Sequence, residues 1–401
     1  MSFIIKDLSY IHADKEILFS HLHLSINSGD KIALTGNNGC GKSTLMRILA
    51  GDLSPSSGTV LRPEHLYYVP QHFGQYDRQT IAQALGISHK LSALHAILSG
   101  DATEKHFNTL NDDWNVEERA QTSLDSWGLD GIPLSRPMEG LSGGEKTRIF
   151  LAGMELHNPT AILLDEPTNY LDADGRERLY NLIRRTSATV LVISHDRTLL
   201  NQLPAICELS SQGLTYYSGN YDFYKKQKAL QQNALTQQLE EKQKALRLVR
   251  KVAREVEERK AKQNVRGEKN SIKKGIPRIM MGALKNNAEN SSSRLSSIHT
   301  EKTEKLQAEM SGIKSSLPQT DKLKTDFNAS HLHVGKVLVK AKDVNFHYPS
   351  LAASPMETTR PEAVKELWSS SLTFQLRSGD RLSLKGKNGS GKTTLLKLIM
   401  G

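Results

Sequence analysis

Cysteine is nearly missing from this chain: 401 residues hold two, Cys40 and Cys207. Two thiols build no disulfide framework, and their spacing matches no metal-ligand pattern, so a reducing compartment is expected. Long apolar runs are missing as well. No stretch reaches the roughly 18 consecutive apolar residues of a membrane span. The start, MSFIIKDLSY, has no basic segment followed by a long apolar core, so no secretory leader is expected. These absences lead to the expectation of a cytoplasmic protein. The 37% hydrophobic and 24% charged composition is ordinary for soluble domains, and the length suggests about two to three of them.

The charge is uneven. The net formal charge is +10, yet Asp222 to Thr325 alone holds 17 Lys and 7 Arg against 12 acidic residues, an excess of +12. The rest of the chain is close to neutral. An excess confined to one segment points to a partner of opposite charge at that segment.

Up to about residue 220 the pattern is α/β. FIIKDLSYI and EILFSHLHLSI read as strands, and KIALTG as a short strand running into a glycine-rich loop. The helix STLMRILAG is closed by Gly51. About Thr80 to Pro137 looks mostly helical. Then come the helix GEKTRIFLAGMEL, the buried strand AILLDE, the helix DGRERLYNLIRR and the strand TVLVISHD. Continuous apolar strands alternating with helices predict a largely parallel sheet covered on both faces.

After Gly219-Asn220 the character changes. Leu235, Leu239, Lys242, Leu246, Val249, Ala253 and Val256 step by four and three, the seam of a coiled coil. Asn264 to Ser293 breaks it with Gly267, Gly275, Pro277 and Gly282. A second helix is predicted from Leu295, Ile298, Leu306, Met310, Ile313 and Leu317, stopped by Pro318. Two such helices should pair as an antiparallel hairpin, the first about 60 Å long at ~1.5 Å per residue. From Val334 the beginning repeats. DVNFHY echoes DLSYIH, and Arg377 to Gly401 echoes Asn27 to Gly51 without gaps, about half the positions being identical. SLAASPMETTRPEAVKE, between the repeat's strands, reads as a surface loop. The expected domains are 1–220, 221–325 and 326–401.

GNNGCGKST, Gly36 to Thr44, is a phosphate-binding loop in strand–loop–helix context. Its glycines let successive N–H groups face phosphate, and the following helix adds its positive end. Gly36, Asn37, Asn38, Gly39, Cys40, Gly41, Lys42, Ser43 and Thr44 are the candidate contacts. Lys42 would reach the β- and γ-phosphates and Ser43 would ligate Mg²⁺. Gly386, Asn388, Gly389, Gly391, Lys392, Thr393 and Thr394 repeat the set, with Thr393 as the second metal-side hydroxyl. Asp165 and Glu166 end a buried strand. Beside a phosphate loop, Asp165 would hold Mg²⁺ through water and Glu166 would polarise the attacking water.

LSGGEK, Leu141 to Lys146, stands between the phosphate loop and the Asp-Glu strand, and a later strand ends in Ser194-His195-Asp196. This set resembles the nucleotide-binding domain of ATP-binding cassette (ABC) proteins. The resemblance implies a mixed sheet with a helical subdomain, and ATP and Mg²⁺ as ligands. It implies that Gln71 senses the γ-phosphate and Mg²⁺, that His195 contacts the γ-phosphate, and that Asn169 to Asp172 form the D-loop. Ser142, Gly143 and Gly144 would face the nucleotide of another cassette. An aromatic ring would stack on adenine at the positions of His12 and Tyr348. His12 departs from that pattern, and Tyr10 is the alternative.

Duplicated cassettes, EPTNYLD, YSGNYDFY and the basic inter-cassette hairpin further resemble the ABC-F family. Tyr170 stands where typical members have His. That likeness implies an ATPase acting on ribosomes, as a translation factor or an antibiotic-protection protein, with the hairpin contacting tRNA and rRNA. The tip supports the contact: Arg266, Lys269, Lys273, Lys274, Arg278 and Lys285 oppose only Glu268 between Asn264 and Lys285. No aromatic residue lies there, so base stacking is not indicated. Alternatives are the ATPase subunit of a membrane transporter, or a DNA- or RNA-binding ABC ATPase without a ribosomal role. LSGGE occurs once, and the second copy ends at Gly401 before any signature, Asp-Glu strand or histidine of its own. The expectation is that this chain alone hydrolyses ATP poorly or not at all, unless two first cassettes form a homodimer.

Overall fold

The structure is a computed structural model that describes residues 3–273, 297–315, 335–347, 366–386 and 389–400, with the single positions 317 and 333. The chain divides into two compact units, Met1–Asp222 with Asn328–Gly401, and Phe223–Phe327.

The first unit is built on a six-stranded sheet. Its strands are β3 (Lys31–Gly36), β5 (Leu66–Val69), β6 (Ala161–Asp165), β7 (Thr189–Ile193), β8 (Ala205–Ser210) and β9 (Gly213–Tyr217), in the order β5-β6-β7-β3-β8-β9. All neighbours are parallel except β8 and β9. β6 and β7 are buried at every position, as their unbroken apolar sequences require of strands covered on both faces. A second, antiparallel sheet joins β1 (Phe3–Ile11), β2 (Ile17–Ile26) and β4 (Ser57–Leu61) in the order β2-β1-β4. Helix α1 (Lys42–Ala50) inserts Leu45, Met46, Ile48 and Leu49 into the core among Phe3, Ile5, Leu22, Ile32, Leu34, Leu163 and Leu191. Four further helices fill the stretch after β5: α2 (Ile81–Ala84), α3 (Ser88–Leu98), α4 (Glu104–Leu110) and α5 (Val116–Ser126). Three more, α6 (Gly143–His157), α7 (Ala173–Arg185) and α8 (Arg197–Leu200), alternate with the parallel strands. A mixed sheet with a helical subdomain is therefore the architecture of the first copy.

The second copy differs from the first at one predicted strand. Residues 381–386 form no strand. Their counterpart β3 is held between β7 and β8, and the 401 residues contain no second set of those partners. Leu382 and Leu384 are accordingly exposed.

In the other unit, α9 (Tyr221–Lys273) runs 53 residues. It continues past the break expected at Asn264. Gly267 lowers helix propensity by only about 1 kcal/mol, which its Lys-, Arg- and Glu-rich neighbours tolerate. Leu235, Leu239, Lys242, Leu246, Val249, Ala253 and Val256 are all at least partly covered along a largely exposed helix. A returning helix, α10 (297–315), meets it through Lys242 Nζ and Glu309 Oε2, 2.6 Å apart. Leu306, Met310 and Ile313 are part-covered as the pattern predicts, whereas Ile298 is exposed. Leu295, Pro318 and the tip residues Lys274, Arg278 and Lys285 lie outside the described residues. Among the described residues no helix is long and apolar enough to cross a membrane.

Candidate nucleotide site

The loop after β3 is shaped by two close approaches. A Cβ on Gly36 would lie 2.3 Å from the Leu209 carbonyl oxygen of β8. Gly41, the N-cap of α1, has φ 97°, and a Cβ there would strike Leu18 and Phe19 at 2.8–2.9 Å. Only glycine fits both conformation and space. No side chain caps α1, so its first-turn N–H groups remain directed at the loop mouth, where an anion binds. Lys42 Nζ donates to the Gly36 and Asn37 carbonyls at 2.9 Å each. In the second copy, Lys392 Nζ likewise donates to Gly386 O at 2.7 Å.

A cavity of about 530 Å³ opens above the first loop. Asn38, Gly39, Gly41, Lys42, Ser43, Thr44, Gln71, Asp165, Glu166, Asn169 and His195 line it, together with His12, Leu18 and Ile193. Gly36, Asn37 and Cys40 are not on its wall. Of the two alternatives for base stacking, His12 lines the cavity, and Tyr10 backs it edge-on, ring centroids 5.4 Å apart. Leu18 adds to the expected set; a β-strand leucine carries no signal beyond an ordinary core position.

Two buried carboxylates end β6. Asp165 is 2% and Glu166 7% exposed. Asp165 Oδ1 and Glu166 Oε1 take no hydrogen bond from protein. Burial raises the Asp165 pKa; the Ser43 hydroxyl opposes that shift, and the Glu166 charge adds to it. Glu166 adopts a left-handed backbone, φ 50°, and its N–H is pinned to Ile193 O at 2.8 Å. Its side chain meets the residue after the neighbouring strand: His195 N donates to Oε2 at 3.3 Å, and His195 Nε2 lies 3.4 Å from Oε1. That second approach lacks hydrogen-bond alignment. Asp196 caps α8 and accepts from Tyr180 Oη, which fixes the turn carrying His195.

The donor set suits Mg²⁺ with ATP. A hydroxyl and an unpartnered buried carboxylate oxygen flank the phosphate loop, which suits a small hard cation completing its shell with water and phosphate oxygens. Among the described residues no cluster of three or more His, Cys, Asp or Glu could hold a metal unaided.

A second cavity, about 640 Å³, joins the two copies. Gly386, Gly389, Gly391, Lys392, Thr393 and Thr394 line one side; Ser142, Gly144, Asn169, Tyr170 and Asp172 line the other. Ser142 closes the start of α6 in a reciprocal capping box, accepting from Glu145 N at 3.3 Å while its own N–H donates to Glu145 Oε2 at 2.7 Å. The Ser-x-x-Glu spacing carries that signal in the sequence. Gly143 is covered by the Tyr170 ring, which a Cβ would meet at 3.0 Å. Asn169 lines both cavities. The second cavity contains no counterpart of the Asp165–Glu166 pair among its described lining residues. Tyr348 and Asn388 lie outside the described residues.

The ABC transporter family model matches residues 19–169 and 369–401, which carry both phosphate loops and the signature. These two stretches are similar to ATP-binding cassette domains. The chain is 31% identical over 252 residues to the tylosin resistance ATP-binding protein TlrC of Streptomyces fradiae, covering 57% of this chain and 46% of that protein. It is 32% identical over 221 residues to ABC transporter F family member 2 of Arabidopsis thaliana, covering 55% of this chain and 30% of the relative. The ribosome protection protein VmlR of Bacillus subtilis matches at 26% identity over 405 residues, covering 99% of this chain and 61% of VmlR. The chain thus spans less than two thirds of each of these three relatives.

Proposed function

We propose that this chain binds and hydrolyses ATP as an ABC-F ATPase acting on the ribosome. One observation carries the ATPase reading: Lys42, Ser43, Gln71, Asp165, Glu166 and His195, from separate segments of the chain, converge on a single cavity at the mouth of the phosphate loop. Lys42 would leave the loop carbonyls for the β- and γ-phosphates. Ser43, Asp165 and Gln71 would hold hydrated Mg²⁺, which neutralises phosphate charge when bound. Glu166 would accept a proton from the water attacking the γ-phosphate. His195 would donate to a γ-phosphate oxygen and is steadied by Glu166.

In the second cavity Ser142, Gly143 and Gly144 would complete a nucleotide site with Lys392 and Thr393. That site lacks an Asp165–Glu166 pair of its own, so the chain alone would bind two nucleotides and turn over slowly. The domain assignment follows: 1–220 a cassette, 221–325 the basic linker, and 326–401 the beginning of a second cassette. The match of nearly all of this chain to about 61% of VmlR and the +12 charge of residues 222–325 support a ribosomal partner reached through the linker, with ATP clamping the cassettes and hydrolysis releasing them.

Cosedimentation with ribosomes tests this reading. The chain should pellet with ribosomes in a non-hydrolysable ATP analogue and less without it. Replacing Lys269, Lys273 and Lys274 by Ala should weaken pelleting. It should also lower the slope of log affinity against log salt by about one for each phosphate no longer neutralised. Equal recovery with and without the analogue, and with the triple variant, would reject the ribosomal role.

A further inference from the structure

The turns that follow β6 and β7 carry Glu166 and His195, and two hydroxyls join them. Thr168 Oγ1 and Ser194 Oγ lie 3.3 Å apart. Thr168 is 3% and Ser194 5% exposed. Thr168 comes two residues after Glu166, and Ser194 comes immediately before His195. Ser194 Oγ also accepts the Asp196 N–H at 3.0 Å, so this one oxygen spans the histidine and reaches the other turn. A buried hydroxyl that gave up its partner would gain no water in exchange, and the bridge therefore resists parting.

The sheet ladder reaches only to the Asp165–Ile193 pair. Just past it, Glu166 N–H bonds Ile193 O at 2.8 Å. The backbone of Glu166, φ 50°, is one that a glutamate keeps only where its surroundings impose it. The Glu166 carboxylate makes a further tie, accepting the His195 N–H at 3.3 Å, but that carboxylate is also the expected proton acceptor. The Thr168–Ser194 bridge makes no demand on it. The carboxylate can be committed to a water while the hydroxyls hold the two turns in place.

We propose that Thr168 and Ser194 are positioning residues whose hydroxyl bridge sets the separation of Glu166 from His195, and with it the rate of γ-phosphate cleavage rather than the affinity for ATP. The proposal rests on the hydrolysis reading above. Neither residue lines the nucleotide cavity, so both act through Glu166 and His195 and exchange no proton with the nucleotide.

Thr168→Val removes the hydroxyl at nearly constant volume, and Thr168→Ser keeps it. The full 401-residue chain, in excess over radiolabelled ATP with Mg²⁺, is followed through a single turnover. The maximal rate of phosphate release should fall about ten- to a hundredfold in Thr168→Val and return to within about twofold of the parent in Thr168→Ser. Mant-ATP affinity should stay within about twofold in both, as expected when only transition-state geometry is lost. In a Glu166→Gln background Thr168→Val should cost no further rate, because the group being positioned is already gone. A weakened fold would instead lower both backgrounds alike. Hydrogen exchange without nucleotide gives a second measure: the His195 N–H should exchange about tenfold faster in Thr168→Val, with the amides of β7 unchanged. An unchanged maximal rate in Thr168→Val, an equal loss in the Glu166→Gln background, or unchanged exchange at His195 overturns the proposal. A parent rate no higher than that of Glu166→Gln removes the hydrolysis reading itself, and the proposal with it.

Discussion

His195 Nε2 stands 3.4 Å from Glu166 Oε1 while the His195 main-chain N–H donates to the other carboxylate oxygen. One carboxylate thus steadies the histidine turn and keeps an oxygen without a hydrogen-bonded protein partner, facing the phosphate loop. Glu166→Gln preserves the shape and removes the proton acceptor. Whatever phosphate release the chain shows should drop about 10²- to 10⁴-fold, with mant-ATP affinity retained. Undiminished release would remove Glu166 from the role of base.

Asp165 gives a pH signature. Burial, with Glu166 beside it, puts its folded-state pKa above the unfolded one. Its stability contribution is therefore fully present below the unfolded pKa and lost as pH rises through the folded pKa. Nucleotide-free melting should fall across that rise, and Asp165→Asn should flatten the fall. At neutral pH Asp165→Asn should melt a few degrees higher than the parent without nucleotide, yet lose the stabilisation that MgATP gives the parent. Calorimetry with and without MgATP checks both halves.

Gly41→Ala should damage the loop rather than tune it. The residue has φ 97° and would push against Leu18 and Phe19. A left-handed non-glycine residue alone costs about 1–2 kcal/mol, and the steric clash adds to that. A urea titration should show a lower midpoint, and MgATP should give little recovery. A midpoint equal to the parent's would show that the loop can relax around a methyl group.

The two thiols should differ in reactivity. Burial, with Glu208 beside it, pushes Cys207 up to about 12, so its thiolate is scarce at neutral pH. Cys40 is half-buried in the phosphate loop and also raised, first by burial. Iodoacetamide at mildly alkaline pH should label Cys40 slowly and Cys207 only after unfolding. MgATP should slow Cys40 further. Mass spectrometry of timed samples distinguishes the two sites.

Much of the fold and site is legible in the sequence because the signals are local. The apolar runs of β6 and β7 announce strands covered on both faces, and the four-and-three stripe of α9 becomes its sheltered side. Phosphate-loop spacing singles out Lys42 and Ser43, which line the same cavity as Asp165. What stays hidden depends on distant chain meeting distant chain. Thr168 and Ser194 are 26 positions apart, and no local pattern links them. Tyr170 over Gly143 is a matter of ring placement, and the left-handed Glu166 follows from how β6 and β7 end side by side. Residues 381–386 read as a strand because the pattern records what a segment could pair, not whether its neighbours are there.

The backbone of Glu166 carries one more implication. At φ 50° glycine and asparagine are more at ease than glutamate, and neither offers a carboxylate. A screen for thermal resistance that ignored activity would therefore be drawn to replace this residue early. Survivors of such a screen with Gly or Asn at 166 would be sturdier proteins that hold nucleotide without consuming it.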